Sequence, residues 1–139
     1  METITVRFDG GSRGNPGPAG IGVVLEAADG TVIFTLGRFI GVATNNVAEY
    51  KALITGLEQA STLGATHVLV MGDSELVIKQ MKGQYRVKNP GLKPLYEQAK
   101  AVCETFRRVQ FDHTRREGNK LTDKLANLAM DRKQDVTEA

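Results

Sequence analysis

Apolar and polar residues alternate along the first stretch of the chain, which indicates a strand buried on one face. Ile4, Val6 and Phe8 occupy every second position of the predicted strand 3–9. A glycine-rich loop at 10–20 leads into a second strand at 21–26. The pair Asp29-Gly30 then predicts a tight turn, so a third strand at 31–40 should fold back antiparallel.

The period changes to that of a helix after residue 45. Asn45 or Asn46 can cap the start of this helix and Gly64 its end. A short apolar run at 67–71 is typical of a strand buried on both faces, and Ser74 after it can cap a second helix. Apolar residues follow the helical spacing in the first helix: Val47, Tyr50, Leu53, Ile54, Leu57 and Ala60.

A third helix delimited by Pro90 and Pro94, a last strand from 109 to 112 or 113 and a final helix around Leu125 complete the predicted elements. A strand, a crossover helix and a buried strand favour a right-handed parallel connection. The fold class is therefore α/β, a mixed five-stranded sheet with helices on both faces. We expect one domain over 1–132 and a flexible polar tail over 133–139.

Composition and charge change this picture little. With 139 residues, 41% hydrophobic and 24% charged, the chain suits one soluble globular domain. The lone Cys103 fits a reducing compartment and reads as a core thiol, and the chain opens with neither a signal peptide nor a membrane-spanning run. We therefore expect a cytoplasmic protein without a membrane partner. We also expect a monomer, since no exposed apolar stripe requires a partner subunit.

A net charge of +2 is well short of a strong nucleic-acid footprint, but the positive side chains are grouped. Between Glu75 and Glu97 every charged residue is positive, and Arg115, Arg116 and Lys120 form a second group. Solvated faces and loops are the ordinary explanation of such groups. These groups indicate a function only where they flank a site.

Four acidic residues fall at comparable places in the predicted topology. Asp9 ends the first strand, Asp73 follows the fourth, Glu49 lies in the first turn of the first helix, and Asp123 lies near the start of the last helix. Each alone can be explained by helix capping or by the helix dipole. Together they are assigned to one rim of the sheet, where parallel strands end and sites form.

Clustered carboxylates raise one another's pKa, and a bound hard cation removes that penalty. Oxygen ligands of this kind suit Mg²⁺ or Mn²⁺. Two such ions roughly 3.5–4 Å apart form a clamp for in-line displacement at phosphorus.

The motifs resemble those of the type 1 ribonucleases H across nearly the whole chain. The matching stretches are Phe8-Asp9-Gly10-Gly11 with Gly14-Asn15-Pro16-Gly17-Pro18, Thr44-Asn45-Asn46 before Glu49, Gly72-Asp73-Ser74, and Asn119 with Asp123-Lys124-Leu125-Ala126. The resemblance implies the strand order 3-2-1-4-5. It also implies metal-dependent cleavage of RNA paired to DNA, with 3′-hydroxyl and 5′-phosphate ends.

By that resemblance the catalytic and metal-binding set is Asp9, Glu49, Asp73 and Asp123, with Asp9 bridging two ions of Mg²⁺ or Mn²⁺. The glycine loop, Asn15 and Asn46 would lie along the minor groove of the hybrid, and Thr44 with Asn45 would hold a phosphate of the DNA strand. The substrate-binding residues that it implies are Gly10, Gly11, Ser12, Arg13, Asn15, Thr44, Asn45, Asn46, Ser74, Lys79, Arg115 and Asn119.

Three departures place the chain nearer the branch of this family that lacks a basic protrusion, some members of which also cut double-stranded RNA. The segment 83–94 is too short for the protrusion, so binding should rely on Lys79 and the cations after it. Glu75 stands where relatives often have glutamine. The loop before the last helix has Arg115, Arg116 and Glu117 but no histidine, and His113 lies at the end of the preceding strand.

Three other readings remain open. A nucleic-acid-binding module without catalysis would bind hybrid without metal and without turnover. A fragment of a larger polymerase or integrase is disfavoured by one domain that starts at Met1 and ends in a polar tail. An unrelated nucleotide-binding protein would need a phosphate loop leading into a helix, whereas this glycine loop leads into a strand.

Overall fold

A computed structural model of the chain describes residues 2–138, and over this range it contains five strands and four α-helices. Their bounds are β1 Thr3–Ser12, β2 Gly17–Ala27, β3 Val32–Ala43, α1 Asn45–Thr62, β4 His67–Gly72, α2 Glu75–Met81, α3 Lys93–Cys103, β5 Arg108–His113 and α4 Lys120–Arg132, with a 3₁₀ turn at Arg116–Asn119.

The five strands form one mixed sheet in the order β3-β2-β1-β4-β5, which confirms the expected topology. β1 pairs antiparallel with β2, and β2 with β3, whereas β1, β4 and β5 run parallel. Phe8 of β1 lies opposite Gly72 of β4. Asp9, the next residue of β1, and Asp73, which follows β4, therefore lie at the same end of the sheet.

Helices cover both faces of the sheet. Ile4, Val6 and Phe8 of β1 are fully buried in the main core, together with Leu53 and Leu57 of α1. The opposite face of the sheet packs on α4 through a smaller cluster formed by Val24, Leu125, Ala129 and Val136. Full burial of each large apolar side chain contributes about 1.5–3 kcal/mol, so the two helices are held firmly against the strands that carry the acids.

The loop in the glycine-rich stretch is shorter than the predicted range, 10–20. β1 continues to Ser12 and β2 begins at Gly17, so only residues 13–16 form the turn. The two strands pair through this stretch, with Gly11 opposite Gly20. Glycine is disfavoured in strands by propensity, and cross-strand pairing overrides that preference here.

The cap of α1 also differs from the expectation of Asn45 or Asn46. Thr44 is the N-cap, and its Oγ1 accepts a hydrogen bond from the Val47 backbone N–H at 3.2 Å. Glu49 consequently lies beyond the first turn of α1, so a role in compensating the helix dipole does not explain it. Ser74 caps α2 as expected.

The segment after α4 was expected to be a flexible polar tail, but the structure places one of its residues in the core. Val136 is 6% exposed and exchanges two backbone hydrogen bonds with Gly37 of β3, at 2.7 and 2.8 Å. Arg38 of β3 pairs with Asp135 at 3.1 Å. The segment is mostly polar, so its composition does not indicate that Val136 is buried. Burial of this side chain brings the backbone of the segment to the sheet.

Among residues 2–138, no helix combines the length and the apolar character that crossing a bilayer requires.

Gly22 sets how closely α4 can approach the sheet. An added Cβ at this position would collide with the Thr122 carbonyl of α4. We expect Gly22→Ala to lower the free energy of unfolding by about 2 kcal/mol or more, because α4 must move outward or the strand must bend. Urea unfolding followed by circular dichroism measures this loss.

Gly11→Ala is the matched control for stability, because it changes the same residue type in the neighbouring strand. The nearest atom to its added Cβ would be Asn45 Oδ1 at 3.9 Å, an ordinary contact. Equal losses in the two variants would show that the contact with α4 is not the reason.

Candidate active site

Four carboxylates reach one end of the sheet, each from a different element. Asp9 lies in β1 directly after the buried Phe8, and Asp73 follows the end of β4. Glu49 extends from α1 and Asp123 from α4, the helices on opposite faces of the sheet. The sheet therefore supplies the centre of the cluster and the two helices supply its flanks.

Asp9, Glu49 and Asp73 are close enough to ligate one ion. A carboxylate oxygen from each of the three lies within 4.8 Å of the others. Glu49 is 8% exposed, and its Oε1 accepts a hydrogen bond from the Gly10 backbone N–H at 2.8 Å. Gly10 is needed there, because an added Cβ would overlap the Ala48 carbonyl group of α1.

The pKa values of the central acids show how strongly the cluster opposes ionisation. Burial raises the pKa of Asp9 from 3.8 to about 8, with further increases from the charges of Asp73 and Asp123 and a hydrogen bond with Asp123. Burial, followed by the charges of Asp9 and Asp73, raises the pKa of Glu49 well above its usual value. Asp9 is thus coupled to acids on both sides.

The donor set fits a hard divalent cation. It consists of carboxylate oxygens, which Mg²⁺ and Mn²⁺ prefer, and the raised pKa values identify negative charge that protein groups leave uncompensated. Asp9, Glu49 and Asp73 would hold one ion.

The acids face an open cavity of about 400 Å³. The glycine stretch forms one wall and α4 the other. Arg13 is tied across this cavity to α4, since its guanidinium pairs with Asp131 at 2.6 Å and its Nη2 donates to the Asn127 carbonyl at 3.3 Å. The cavity is lined by Asp9, Gly10, Gly11, Ser12, Arg13, Asn45, Glu49, Asp73, Arg116, Asp123, Ala126, Asn127 and Met130.

A second cavity of about 290 Å³ lies at the N-terminus of α1. Asn15, Thr44 and Asn46 line it, together with Asn89 and Gly91 from the segment between α2 and α3. The neighbouring Asn45 stands between the two cavities. Its Oδ1 accepts hydrogen bonds from the Ser12 backbone N–H at 2.8 Å and from the Ser12 hydroxyl at 3.0 Å, and its own N–H donates to Asn15 Oδ1.

Four further residues that the sequence assigns to the substrate lie outside both cavities. Ser74 caps α2, and Lys79 is bound to Glu75 at 2.6 Å with its ammonium 5.0 Å from the centre of the Tyr85 ring. Arg115 is exposed, and it is its neighbour Arg116 that lines the active-site cavity.

Asn119, the fourth of these residues, is 1% exposed and its Nδ2 donates to the Phe8 carbonyl at 3.0 Å. This position suits a link between β1 and α4 better than contact with a ligand.

Sequence reasoning missed Asn127 and Asn89 as cavity residues. Asn127 is four positions after Asp123, so helical spacing places both on one face of α4 and could have identified it. Asn89 lies in irregular backbone, where no periodicity predicts a neighbour. Its position beside Asn46 depends on how the segment between α2 and α3 crosses α1.

Glu75 and His113, whose roles the sequence leaves open, both contact other groups of the protein. The salt bridge with Lys79 lowers the pKa of Glu75. A ring nitrogen of His113 lies 3.2 Å from the Asp73 carbonyl oxygen. His113 thus borders the backbone of an acid of the cluster.

Comparison with known proteins gives consistent matches. A family model described as "Reverse transcriptase-like" matches residues 7–129. "Bifunctional protein Rv2228c" of Mycobacterium tuberculosis is 51% identical over 129 residues, which cover 92% of this chain and 35% of that protein. The chain thus spans about a third of the length of this relative.

Two solved structures agree closely with the fold. RNase H1 from Halobacterium salinarum superposes with a TM-score of 0.91 at 42% identity, covering 94% of this chain and 98% of that one. LC11-RNase H1, solved in complex with an RNA/DNA hybrid, gives a TM-score of 0.89 at 41% identity, with the same two coverages.

The raised pKa of Asp9 predicts a pH-dependent loss of stability when divalent cations are absent. The folded protein holds this proton more tightly than the unfolded chain, so the contribution is complete below about pH 4 and is lost as the pH rises through about 8. In EDTA at pH 8 we expect Asp9→Asn to melt about 3 °C or more above the wild type, and near pH 5 the gap should shrink.

Added Mg²⁺ or Mn²⁺ should raise the melting temperature of the wild type at pH 8 more than that of Asp9→Asn, because binding stabilises only the folded state. Asp29→Asn is the control. Asp29 accepts from the Thr31 N–H in the β2–β3 turn, and asparagine keeps that acceptor. An identical pH profile for Asp9→Asn and the wild type would contradict the electrostatic account.

Proposed function

Because the chain belongs to the type 1 ribonuclease H family, we propose that it is a metal-dependent endonuclease that hydrolyses the RNA strand of RNA–DNA hybrids. The products would carry 3′-hydroxyl and 5′-phosphate ends. The observation that carries this proposal is the convergence of Asp9, Glu49, Asp73 and Asp123 on one open cavity.

The proposed cofactor is a pair of divalent cations, Mg²⁺ or Mn²⁺. Asp9 is coupled to Asp73 and Glu49 on one side and to Asp123 on the other, which supports its role as the shared ligand of the two ions. When bound, such cations lower the pKa of the attacking water and neutralise charge that develops at the scissile phosphate. The residues of the chain hold the acids in place and expose them to a duplex.

The second cavity supports a role in holding a phosphate of the DNA strand. It opens at the N-terminus of α1, an 18-residue helix whose dipole favours an anion there, and the polar side chains of Asn15, Thr44 and Asn46 line it. Asn45 links this cavity to the glycine stretch, because its backbone N–H donates to Asn15 Oδ1 and its side chain accepts from Ser12. A duplex seated on both cavities would present its RNA strand to the acids and its DNA strand to α1.

The shape of the glycine stretch supports recognition of RNA by its 2′-hydroxyl groups. β1 brings the Gly10 and Gly11 backbone to the wall of the active-site cavity without side chains that would keep a minor groove away. Asn15 and Asn46 are exposed beside it and offer amide groups to both strands.

A binding module that has lost catalysis is the competing proposal, and the charges of the site disfavour it. Burial and the charges of neighbouring acids raise the pKa values of Asp9 and Glu49, and such a cluster of carboxylates, once ionised, would repel an anionic duplex unless cations were bound. Retaining all four acids therefore suits a metal-dependent reaction better than simple binding.

Double-stranded RNA is a proposed secondary substrate. The segment between α2 and α3 is eleven residues long, 82–92, and contains no helix in the structure. A short segment offers few contacts to the strand opposite the cleaved one. Discrimination against RNA in that strand should then be weaker.

We also propose that the protein acts as a monomer. The exposed large apolar side chains of residues 2–138 are scattered, at Val32, Val42, Leu63, Tyr85 and Leu121. The cytoplasmic location stays a prediction from composition.

The function predicts that purified protein cleaves a labelled RNA–DNA duplex in Mg²⁺ or Mn²⁺ and that EDTA abolishes cleavage. Asp9→Asn should lower kcat by about three orders of magnitude or more, equivalent to roughly 4 kcal/mol, because it removes the negative charge needed to hold the metal ions. Asp29→Asn should retain full activity. Equal rates for Asp9→Asn and the wild type would refute the assignment of the site.

A panel of substrates separates the remaining alternatives. We expect hybrid to be cut fastest, double-stranded RNA more slowly, and DNA duplex not at all, because its strands lack the 2′-hydroxyl. Tight binding of hybrid in EDTA without cleavage under any metal would favour the binding module. No cleavage of double-stranded RNA would remove only the secondary substrate.

A further inference from the structure

We propose that Arg7 is a positioning residue for the reaction, because it anchors the backbone of the loop that joins β5 to α4. This loop, residues 114–119, contains Arg116, which lines the active-site cavity, and ends where α4 begins. The inference rests on the proposed function, since the reaction whose rate it affects is cleavage of the hybrid.

Arg7 lies on the strand that carries the central acid and on the same face. The buried residues of β1 alternate as Ile4, Val6 and Phe8, so Arg7 and Asp9 both project from the opposite face. Arg7 and Asp9 are two positions apart, which is one repeat of an extended strand. A group that Arg7 binds is therefore held at a fixed position relative to Asp9.

The Arg7 guanidinium connects three elements. Its Nε donates to Glu26 Oε1 of β2 at 2.8 Å, and its Nη1 donates to the Gly118 carbonyl at 3.1 Å. The Arg7 and Glu26 side chains are only 28% and 21% exposed, so solvent competes less for this pair than for one on an open surface. Glu26 fixes the orientation of the planar guanidinium and leaves Nη1 directed at the loop.

The loop has few other anchors. Thr114 N–H donates to the Gly72 carbonyl at its beginning, and buried Asn119 donates to the Phe8 carbonyl at its end. Between these points, Arg7 provides the one hydrogen bond from a side chain outside the loop to the backbone of 115–118 that residues 2–138 show. Arg7 therefore anchors the backbone of residues 115–118, which include Arg116.

This arrangement has a direct consequence for the site. Arg116 is the cation that the loop contributes to a cavity dominated by carboxylates, and Asp123 lies in the first turn of α4 directly after the loop. If the loop backbone moves, both side chains move relative to Asp9. Small displacements of groups that position a substrate reduce the rate far more than they reduce binding.

Kinetics of Arg7→Met test the proposal, because methionine keeps the apolar stem and removes the donors. We expect kcat on the hybrid to fall by about fivefold or more with KM within about twofold. Glu26→Gln should retain most of the wild-type kcat, since glutamine still accepts from Nε. Arg7→Lys keeps the charge but has one nitrogen in place of Nε and Nη1, which bond to Glu26 and Gly118 separately, so its kcat should resemble that of Arg7→Met.

Arg38→Met is the matched control. It removes another partly exposed arginine of the same sheet, one that pairs with Asp135 far from the loop. We expect its kcat to equal that of the wild type. An equal fall in Arg38→Met, or a fall in Arg7→Met only where its melting temperature collapses, would overturn the positioning role.

Hydrogen–deuterium exchange gives a readout that does not depend on activity. Amides of residues 114–119 should exchange several times faster in Arg7→Met and Arg7→Lys, whereas those of α1 should not change. Unchanged exchange in the loop would overturn the proposal even if kcat fell. If the wild type cleaved no hybrid, the proposed function would fail, and exchange alone would still decide whether Arg7 anchors the loop.

Discussion

Electrostatic repulsion among carboxylates is the constraint around which this molecule is built. Asp9, Glu49 and Asp73 converge within a few ångströms, and burial together with neighbouring charge raises the pKa of Asp9 to about 8. Separated elements would relieve that repulsion by moving apart. They are kept together because β1 and β4 pair directly and because α1 and α4 are packed on opposite faces of the same sheet.

The close approach of those helices depends on small residues in the strands. Gly10 allows α1 to come near enough for Glu49 to accept the Gly10 N–H, and Gly22 allows α4 to lie on β2. The glycines of β1 and β2 therefore serve packing as well as access to a ligand. A larger side chain at Gly10 would separate two acids of the cluster before it interfered with any substrate.

The mixed sheet and the assignment of the four acids to one rim could be predicted from local patterns and one topological rule, whereas the strand order is implied by the resemblance to the type 1 ribonucleases H. Period-two and helical spacing identify the elements, and parallel neighbours bring Asp9 and Asp73 to one edge. The rest depends on contacts between distant residues. Asn119 looks like an exposed polar residue before a helix, and its burial follows only from the carbonyl of Phe8 that it meets across the sheet. The pairing of β1 and β2 through the glycines, and the contact of Arg7 with Gly118, likewise have no counterpart in local sequence.

The backbone bridge between Val136 and Gly37 affects how the protein behaves in concentrated solution. β3 is an edge strand of the sheet, and an open edge offers a row of free N–H and C=O groups to another chain. The segment after α4 occupies both groups of Gly37, and Asp135 adds a charged side chain beside Arg38. A strand from a second molecule would have to displace this segment before it could pair through the middle of β3, which discourages association along the full length of that edge.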